Sequence, residues 1–288
     1  MAFNLTKFDM SEVSRSPACV AICGKRGSGK SVLIKDILYH LHVARVPRCV
    51  CFSATEDANQ FFSGFVPDVF VHALNHDTLS NMWQAQKELA MQKAVGQLPP
   101  GTDTRLAIIL DDCAFDKTVM KSAVLKEIFM NGRHHGVFFI VTLQYLIDLN
   151  VSMRSNVDVF FFLKELNLKN QERIYHESCG FLPCFGAFQD LFMASTSNYE
   201  AFVVNGRCKS SDAQQIIHYY KADPTLNFRF GPASIWRFHS TVYESATDRY
   251  VRMQREQQEP RAVVDSRPSN KGRRGARGGS TIVVRRHE

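Results

Sequence analysis

The amino-acid sequence predicts an α/β protein with a mostly parallel central sheet flanked by helices. Short apolar runs recur along the 288 residues and alternate with stretches in which apolar residues have helical spacing, an order typical of parallel sheets with crossover helices. The run 106–110 contains no polar residue, as expected of a strand that is buried on both faces. Hydrophobic residues make up 45% of the chain, which is enough for the core of one large domain with extensions.

A glycine-rich loop joins the first predicted strand, 18–23, to a helix predicted to begin at 31. It matches the phosphate-binding pattern G-x-x-x-x-G-K-[ST] at every required position. Its glycines let successive backbone N–H groups face one point, where the helix N-terminus adds partial positive charge. Lys30 would reach the outer phosphates of a nucleotide, and the Ser31 hydroxyl would coordinate magnesium. The predicted phosphate loop consists of Gly24, Lys25, Arg26, Gly27, Ser28, Gly29, Lys30 and Ser31.

The other elements follow from the same periodicities. The core domain is expected to end near Asp223 and Pro224. Strands are predicted at 48–53, within 65–74, and at 106–112, 137–142, 157–163, 199–205 and 216–221. Helices are predicted at 77–95, 117–131 and 168–179, and a helical or irregular segment is predicted at 185–194.

Two carboxylates, Asp111 and Asp112, end the apolar run that begins at Leu106. Ligand sites in open α/β sheets form at the carboxyl ends of the strands. Asp111 is expected to hold magnesium, and Asp112 to orient or deprotonate an attacking water. Alone, paired acids after a strand are equally well explained as a helix cap or a turn, but the phosphate loop upstream favours the functional role.

Three further side chains are candidates for the same site. Gln144 follows the predicted strand 137–142 and could hydrogen-bond the γ-phosphate or the water, with an ordinary capping glutamine as the equal alternative. Arg133 and Arg154 lie in polar turns, and either could stabilise charge on the transferring phosphoryl group. A solvated surface role is the alternative for each arginine.

Composition changes after residue 223. Between 228 and 250, aromatic residues are interspersed with arginines, and packing onto the domain is favoured over stacking with nucleic-acid bases. From 252 onward, ten Arg and Lys stand against four acids, so a disordered tail is expected. Nucleic-acid binding, solubilisation and binding to an acidic protein partner are equal alternatives for its role. The predicted units are an N-terminal arm (1–15), a P-loop ATPase domain (16–223), an aromatic-rich extension (224–252) and a basic tail (253–288).

Two classes of protein are disfavoured by composition. No apolar run has the eighteen or so residues of a membrane span, so no membrane-spanning helix is expected. The N-terminus lacks a charged segment followed by an apolar core, which disfavours a secretion signal and places the protein inside a cell. Most of the eight cysteines lie in apolar settings, which predicts buried free thiols rather than disulfides.

The order of these motifs resembles the genome-packaging ATPases of large DNA viruses, the poxvirus-type branch of the FtsK–HerA superfamily. The resemblance covers about 16–220. It rests on the phosphate loop, Asp-Asp at 111–112, Asn-Gly-Arg-His at 131–134, a strand ending in Thr-Leu-Gln at 142–144, and Arg-Ser-Asn at 154–156.

The resemblance implies a RecA/ASCE-like P-loop fold and hydrolysis of ATP with Mg²⁺. It implies that Lys30 and Ser31 contact phosphates and metal, and that Asp111 contacts the magnesium. It gives Asp112 the role of the acid that activates water and Gln144 that of a polar sensor. Most relatives in the superfamily have glutamate as the second acid, so the shorter Asp112 departs from that pattern as other viral members do.

The resemblance also implies partners and locations. Members form rings, usually hexamers, in which an arginine reaches the neighbour's nucleotide; here Arg154 or Arg133 would take that role. Double-stranded DNA and capsid or portal-vertex proteins are the implied partners. The viral factory of the host cell and the virion are the implied locations.

Two functions stay open at this point. One is a motor that uses ATP to drive viral double-stranded DNA into the capsid. The other is a nucleotide-dependent assembly or regulatory protein that moves no DNA. A small-molecule kinase is a third reading, disfavoured because no arginine-rich lid is evident in the sequence.

Overall fold

The computed structural model describes residues 3–113, 116–244, 251 and 254–255. Residues Met1–Tyr243 form one compact unit and Glu244–Glu288 a second. The predicted arm at 1–15 therefore belongs to the first unit, as does most of the predicted extension. The predicted tail, 253–288, lies outside the described residues except for 254 and 255.

One sheet of nine strands runs through the described part of the chain. In chain order the strands are β1 (Thr6–Lys7), β2 (Cys19–Cys23), β3 (Arg48–Ser53), β4 (Val71–His72), β5 (Leu106–Asp111), β6 (Val137–Leu143), β7 (Val159–Phe162), β8 (Glu200–Asn205) and β9 (Ile217–Lys221). Across the sheet the order is β1-β9-β8-β7-β2-β6-β5-β3-β4. Every pairing is parallel except the two made by β8. The mostly parallel α/β sheet predicted from the sequence is confirmed.

Helices connect and cover the strands. The α-helices are α1 (Ser11–Ser14), α2 (Lys30–Val43), α3 (Glu56–Asn59), α4 (His76–Ala94), α5 (Lys117–Met120), α6 (Ala123–Asn131), α7 (Val151–Arg154), α8 (Leu168–Ser178), α9 (Phe185–Ser195), α10 (Ala213–Ile216) and α11 (Ala233–Val242). Short 3₁₀ helices cover Phe62–Gly64, Asp68–Phe70, Gly132–His135 and Leu146–Asp148.

The single helix predicted for 117–131 is wrong, because two helices, α5 and α6, occupy that segment. Ser122 has an extended backbone, with φ −64° and ψ 148°, between them. Its hydroxyl accepts a hydrogen bond from the N–H of Leu125 and so caps the start of α6. The capping preference of serine outweighs the helical periodicity at this position.

The core lies on both faces of the sheet. All five residues of β2 are buried, and successive side chains point to opposite faces. Cys19 and Ala21 pack into one apolar cluster with Trp83 of α4. Val20 and Ile22 pack into the other cluster, which α2 covers. This burial on both faces explains why the strand reads as a continuous apolar run.

The segments at the two ends of the first unit contribute to the core. Phe8 is only 3% exposed, and the N-terminal strand β1 pairs with β9. Phe228 and Phe230 of the predicted extension are buried, whereas Phe238 on α11 is more than half exposed. All eight cysteines are free thiols and six are buried, as predicted.

The sheet brings the phosphate loop, the acidic pair and Gln144 toward one edge. Strands β2, β5 and β6 are parallel neighbours, so their carboxyl ends meet at the same edge. The phosphate loop follows β2, the acidic pair ends β5, and Gln144 follows β6. No helix in the described residues has the length and apolar character needed to cross a membrane.

Candidate nucleotide-binding site

The phosphate loop is held between β2 and α2 by close backbone contacts. The N–H of Gly24 donates to the carbonyl of Leu143 at the end of β6, at 3.0 Å. A Cβ on Gly24 would lie 2.8 Å from the Cβ of Leu163, so only glycine fits there. Gly29, immediately before α2, has φ +104°, a backbone conformation that favours glycine.

Lys30 is the first residue of α2, and its side chain is buried. Its ammonium donates to the carbonyl oxygens of Gly24 at 2.8 Å and Lys25 at 3.3 Å. The same nitrogen lies 3.8 Å from a carboxylate oxygen of Asp112. The loop therefore wraps around a cation that sits at a helix N-terminus, an arrangement suited to polyphosphate.

Thr142 connects the two acids at the end of β5. Its hydroxyl donates to Oδ1 of Asp111 at 2.8 Å and accepts from the backbone N–H of Asp112 at 2.8 Å. Asp112 has φ +52°, in the left-handed region that aspartate enters more readily than most residues. This turn leaves the Asp112 carboxylate partly exposed and facing Lys30.

Asp111 is the buried acid of the pair, with 6% of its surface exposed. Burial raises the pKa of its carboxyl above the ordinary value, the hydrogen bond from Thr142 lowers it, and the nearby charge of Asp112 raises it again. The ionised form is therefore disfavoured until a cation compensates for the lost hydration.

A cavity of about 690 Å³ opens beside the loop, within the usual range for small-molecule sites. Seven predicted site residues line this cavity: Arg26, Gly27, Gly29, Lys30, Ser31, Asp111 and Asp112. Hydroxyl and carboxylate oxygens, the donors that magnesium prefers, thus share one cavity with the loop.

A second ion pair fixes the outer side of the phosphate loop. The ammonium of Lys25 lies 2.8 Å from a carboxylate oxygen of Glu165. Burial raises the pKa of Glu165, but hydrogen bonds from Lys25, from the N–H of Asn167 and from the amide of Asn170 bring it below the ordinary value. Glu165 thereby ties the loop to the start of α8.

The other three predicted catalytic residues do not line this cavity. Gln144 is exposed beside the phosphate loop, in a smaller groove with Gly24 and Arg173. Arg133 lies in the turn before β6, toward the opposite edge of the sheet, where it pairs with Asp158 at 2.5 Å. The catalytic roles predicted for these residues stay predictions.

Arg154 is held within its own chain. Its guanidinium lies 3.2 Å from a carboxylate oxygen of Glu177 and donates to the carbonyl oxygens of Leu149 at 3.0 Å and Leu146 at 3.4 Å. Its side chain is 12% exposed. Arg154 thus joins α7, the turn before it and α8.

Sequence reasoning missed three residues that shape the site. Thr142 gave a weak signal, a polar residue at the end of an apolar strand. Glu165 lies far from its partner Lys25 in the sequence. Tyr199 lines the cavity, but the sequence pattern predicts it only as the start of a strand.

The profile of the family described as "Poxvirus A32 protein" matches residues 5–178, more than half of the chain. The chain belongs to the poxvirus A32 protein family. The match to this A32 family includes the phosphate loop, the acidic pair and all three predicted catalytic residues outside the cavity. It confirms the poxvirus-type branch predicted from the sequence.

Curated viral proteins related to this A32 family member carry no described function in their names. One is an uncharacterised protein of Acanthamoeba polyphaga mimivirus, 30% identical over 256 residues that cover 87% of this chain and 89% of the relative. Another is an uncharacterised protein of Invertebrate iridescent virus 3, 32% identical over 218 residues, covering 74% and 80%. Relatives of this chain are therefore found in a mimivirus and in an iridescent virus.

Solved structures agree with the fold of this A32 family member. The genome packaging NTPase B204 from Sulfolobus turreted icosahedral virus 2, in complex with ATP-gammaS, has a TM-score of 0.51 at 16% identity, covering 71% of this chain and 97% of that one. EssC (ATPases 2 and 3) from Geobacillus thermodenitrificans has a TM-score of 0.51 at 11% identity, covering 90% and 53%. These likenesses confirm the predicted P-loop ATPase fold.

Proposed function

We propose that the protein is an ATPase that packages viral double-stranded DNA into the capsid. The observation that carries the proposal is the convergence of Lys30, Ser31, Asp111 and Asp112 on one cavity beside a phosphate loop. Family membership supports the viral setting, and B204, a genome packaging NTPase, shares the fold. The viral factory of the host cell is the proposed place of action.

The donor set at the cavity fits a nucleotide with Mg²⁺. Ser31 and Asp111 supply hydroxyl and carboxylate oxygens, which suit this ion. Asp111 is buried with a raised pKa, so a cation beside it would compensate for its burial. When bound, the metal would neutralise charge on the phosphates. Lys30 and the N-terminus of α2 would hold those phosphates in place.

Asp112 is the proposed acceptor for a proton of the attacking water. Its carboxylate lines the cavity and is partly exposed, whereas that of Asp111 is buried. The hydrogen bond from its backbone N–H to Thr142 fixes the turn that aims this carboxylate. A carboxylate held at the cavity can orient a water and take its proton as the water oxygen bonds to the γ-phosphorus and the bond from that phosphorus to the leaving ADP oxygen breaks.

Arg133 is the better candidate for an arginine that completes a neighbouring subunit's site. Its side chain is 37% exposed, against 12% for Arg154. Asp158, its partner, also receives the N–H of Cys19 at 2.7 Å and lies 3.7 Å from Arg207. Asp158 would keep these partners if Arg133 turned to a neighbour. This role requires that the protein assemble into a homo-oligomeric ring, which light scattering would detect.

The second candidate function is a nucleotide-dependent assembly or regulatory protein. The experiment that separates the two measures ATP turnover by the full-length protein with and without double-stranded DNA. A motor should hydrolyse ATP faster when double-stranded DNA is present and should form rings. DNA-independent turnover by a protein that forms no ring would contradict the packaging role and favour the assembly protein.

A further inference from the structure

An exposed tyrosine ring borders the cavity next to the phosphate loop. Tyr199 lines the cavity and is 72% exposed. Its Cδ1 atom lies 3.7 Å from the position that a Cβ would take on Gly29. The ring therefore stands beside the residue from which α2 begins.

The backbone that carries this ring is in a rare conformation. Asn198 and Tyr199 have φ values of +54° and +60°, so two consecutive non-glycine residues lie in the left-handed region. A bulky aromatic residue seldom adopts this conformation. Such strain persists where surrounding structure imposes it, and it is concentrated at ligand sites. Here it occurs between the end of α9 and the start of β8.

A second wall of the same cavity is rigid and mainly apolar. The segment that follows β9 contributes Ala222 and Pro224 to the lining. The buried Asp36 of α2 holds this segment, since its carboxylate accepts from the hydroxyl of Tyr220 at 3.0 Å and from the N–H of Asp223 at 2.7 Å. This wall is thus anchored to the same helix as the phosphate loop.

We propose that the Tyr199 ring stacks against the base of the bound nucleotide. The inference rests on the proposed nucleotide site, which assigns the loop and Lys30 to the phosphates and leaves the base without a binding surface. An exposed π-face at the mouth of the same cavity supplies one, because bases stack on aromatic rings. The wall at Ala222 and Pro224 supplies apolar surface in the same cavity.

The test measures binding of two probes, ATP and inorganic tripolyphosphate, to full-length variants by calorimetry. Tyr199→Gly removes the ring and suits the left-handed backbone, so strain is not introduced with the change. Tyr199→Phe keeps the π-face. Phe181→Ala is the matched control, because Phe181 is an exposed aromatic residue outside the cavity lining.

We expect Tyr199→Gly to bind ATP about tenfold or more weakly, in line with the contribution of a base–aromatic stack, and to bind tripolyphosphate as the parent does. Tyr199→Phe and Phe181→Ala should bind both probes normally. Unchanged ATP affinity in Tyr199→Gly would overturn the stacking role, as would an equal loss for both probes. A parent that binds neither probe would instead contradict the proposed nucleotide site.

Discussion

The ammonium nitrogen of Lys30 lies 3.8 Å from Oδ1 of Asp112. One residue belongs to the loop after β2 and the other to the turn after β5, so two separate strand ends meet through one pair of charges. The Lys30 ammonium is suited to binding phosphate, and the Asp112 carboxylate is suited to activating water. Phosphate binding and water activation are therefore expected to depend on neighbouring side chains that can be tested separately.

Lys30→Ala should abolish ATP turnover and weaken ATP binding. The change removes the cation around which the loop carbonyls are arranged, and loss of one such group costs about a hundred- to thousandfold in rate. Steady-state turnover and calorimetry give the two readouts. Lys35→Ala is the control on the same helix, because Lys35 does not line the cavity. Parental turnover in Lys30→Ala would exclude the loop as the hydrolysis site.

Asp112→Asn should bind ATP normally and lose turnover by about a hundredfold or more. The amide cannot take a proton from water, while asparagine tolerates the left-handed backbone of this position. Single-turnover hydrolysis and ATP binding are the measurements, with Asp190→Asn, at an exposed acid, as the control. Equal turnover in the Asp112 variant and the parent would remove Asp112 from catalysis.

Thr142→Val should destabilise the fold and slow hydrolysis together. Valine keeps the shape of this fully buried side chain but removes the donor to Asp111 and the acceptor for the N–H of Asp112. Leaving such groups unpaired costs about 1–3 kcal/mol. Urea denaturation gives the free energy of unfolding, and Thr142→Ser, which retains the hydroxyl, should preserve turnover. If Thr142→Val matches Thr142→Ser in rate, Thr142 does not position the acids.

Asp111→Asn should be more stable than the parent at neutral pH, without nucleotide or metal, and inactive. Burial raises the pKa of Asp111 in the folded protein, so the ionised carboxylate destabilises the fold at any pH above that raised value. As the pH falls through this raised pKa toward the unfolded value of 3.8, the carboxyl of Asp111 becomes protonated. The difference in stability between variant and parent then disappears.

Thermal unfolding across pH 7 to 3.5 measures this difference for Asp111→Asn. The gap between variant and parent should narrow on acidification. If Asp111→Asn is less stable than the parent at every pH, the ionised carboxylate of Asp111 stabilises the fold and the prediction is wrong.

The sequence predicted those parts of the site that local patterns encode. The phosphate loop has a fixed spacing, and strands buried on both faces give continuous apolar runs. The acidic pair could be placed because the carboxyl ends of parallel strands share an edge. What local patterns do not encode is pairing across the chain, such as Lys25 with Glu165.

The conformation of Tyr199 also could not be predicted. A left-handed tyrosine contradicts local preference, and the surrounding structure imposes it. The break in the helix predicted for 117–131 has the opposite origin, since Ser122 is a local capping signal that the helical periodicity obscured. Local preference and long-range structure thus each account for one departure from expectation.

The arginine that acts between subunits can be identified by mixing inactive variants. A Lys30→Ala subunit lacks its own phosphate cation but keeps its arginines, and an Arg133→Ala subunit keeps its phosphate loop. In an equal random mixture about a quarter of the interfaces would pair an intact loop with an intact arginine, as a finger supplied in trans requires. We expect Arg133→Ala and Lys30→Ala proteins to recover turnover on mixing.

Arg154→Ala should behave differently from Arg133→Ala. Its loss removes the ion pair with Glu177 and the hydrogen bonds to the carbonyl oxygens of Leu149 and Leu146. We therefore expect a free energy of unfolding lower by about 1–3 kcal/mol and no recovery on mixing with Lys30→Ala. Denaturation, and turnover of mixtures shown to co-assemble, are the measurements. Suppose that turnover recovers when Lys30→Ala is mixed with Arg154→Ala but not with Arg133→Ala. Arg154 would then be the arginine that acts between subunits, because a neighbouring subunit can replace only an arginine that acts on a neighbour's site.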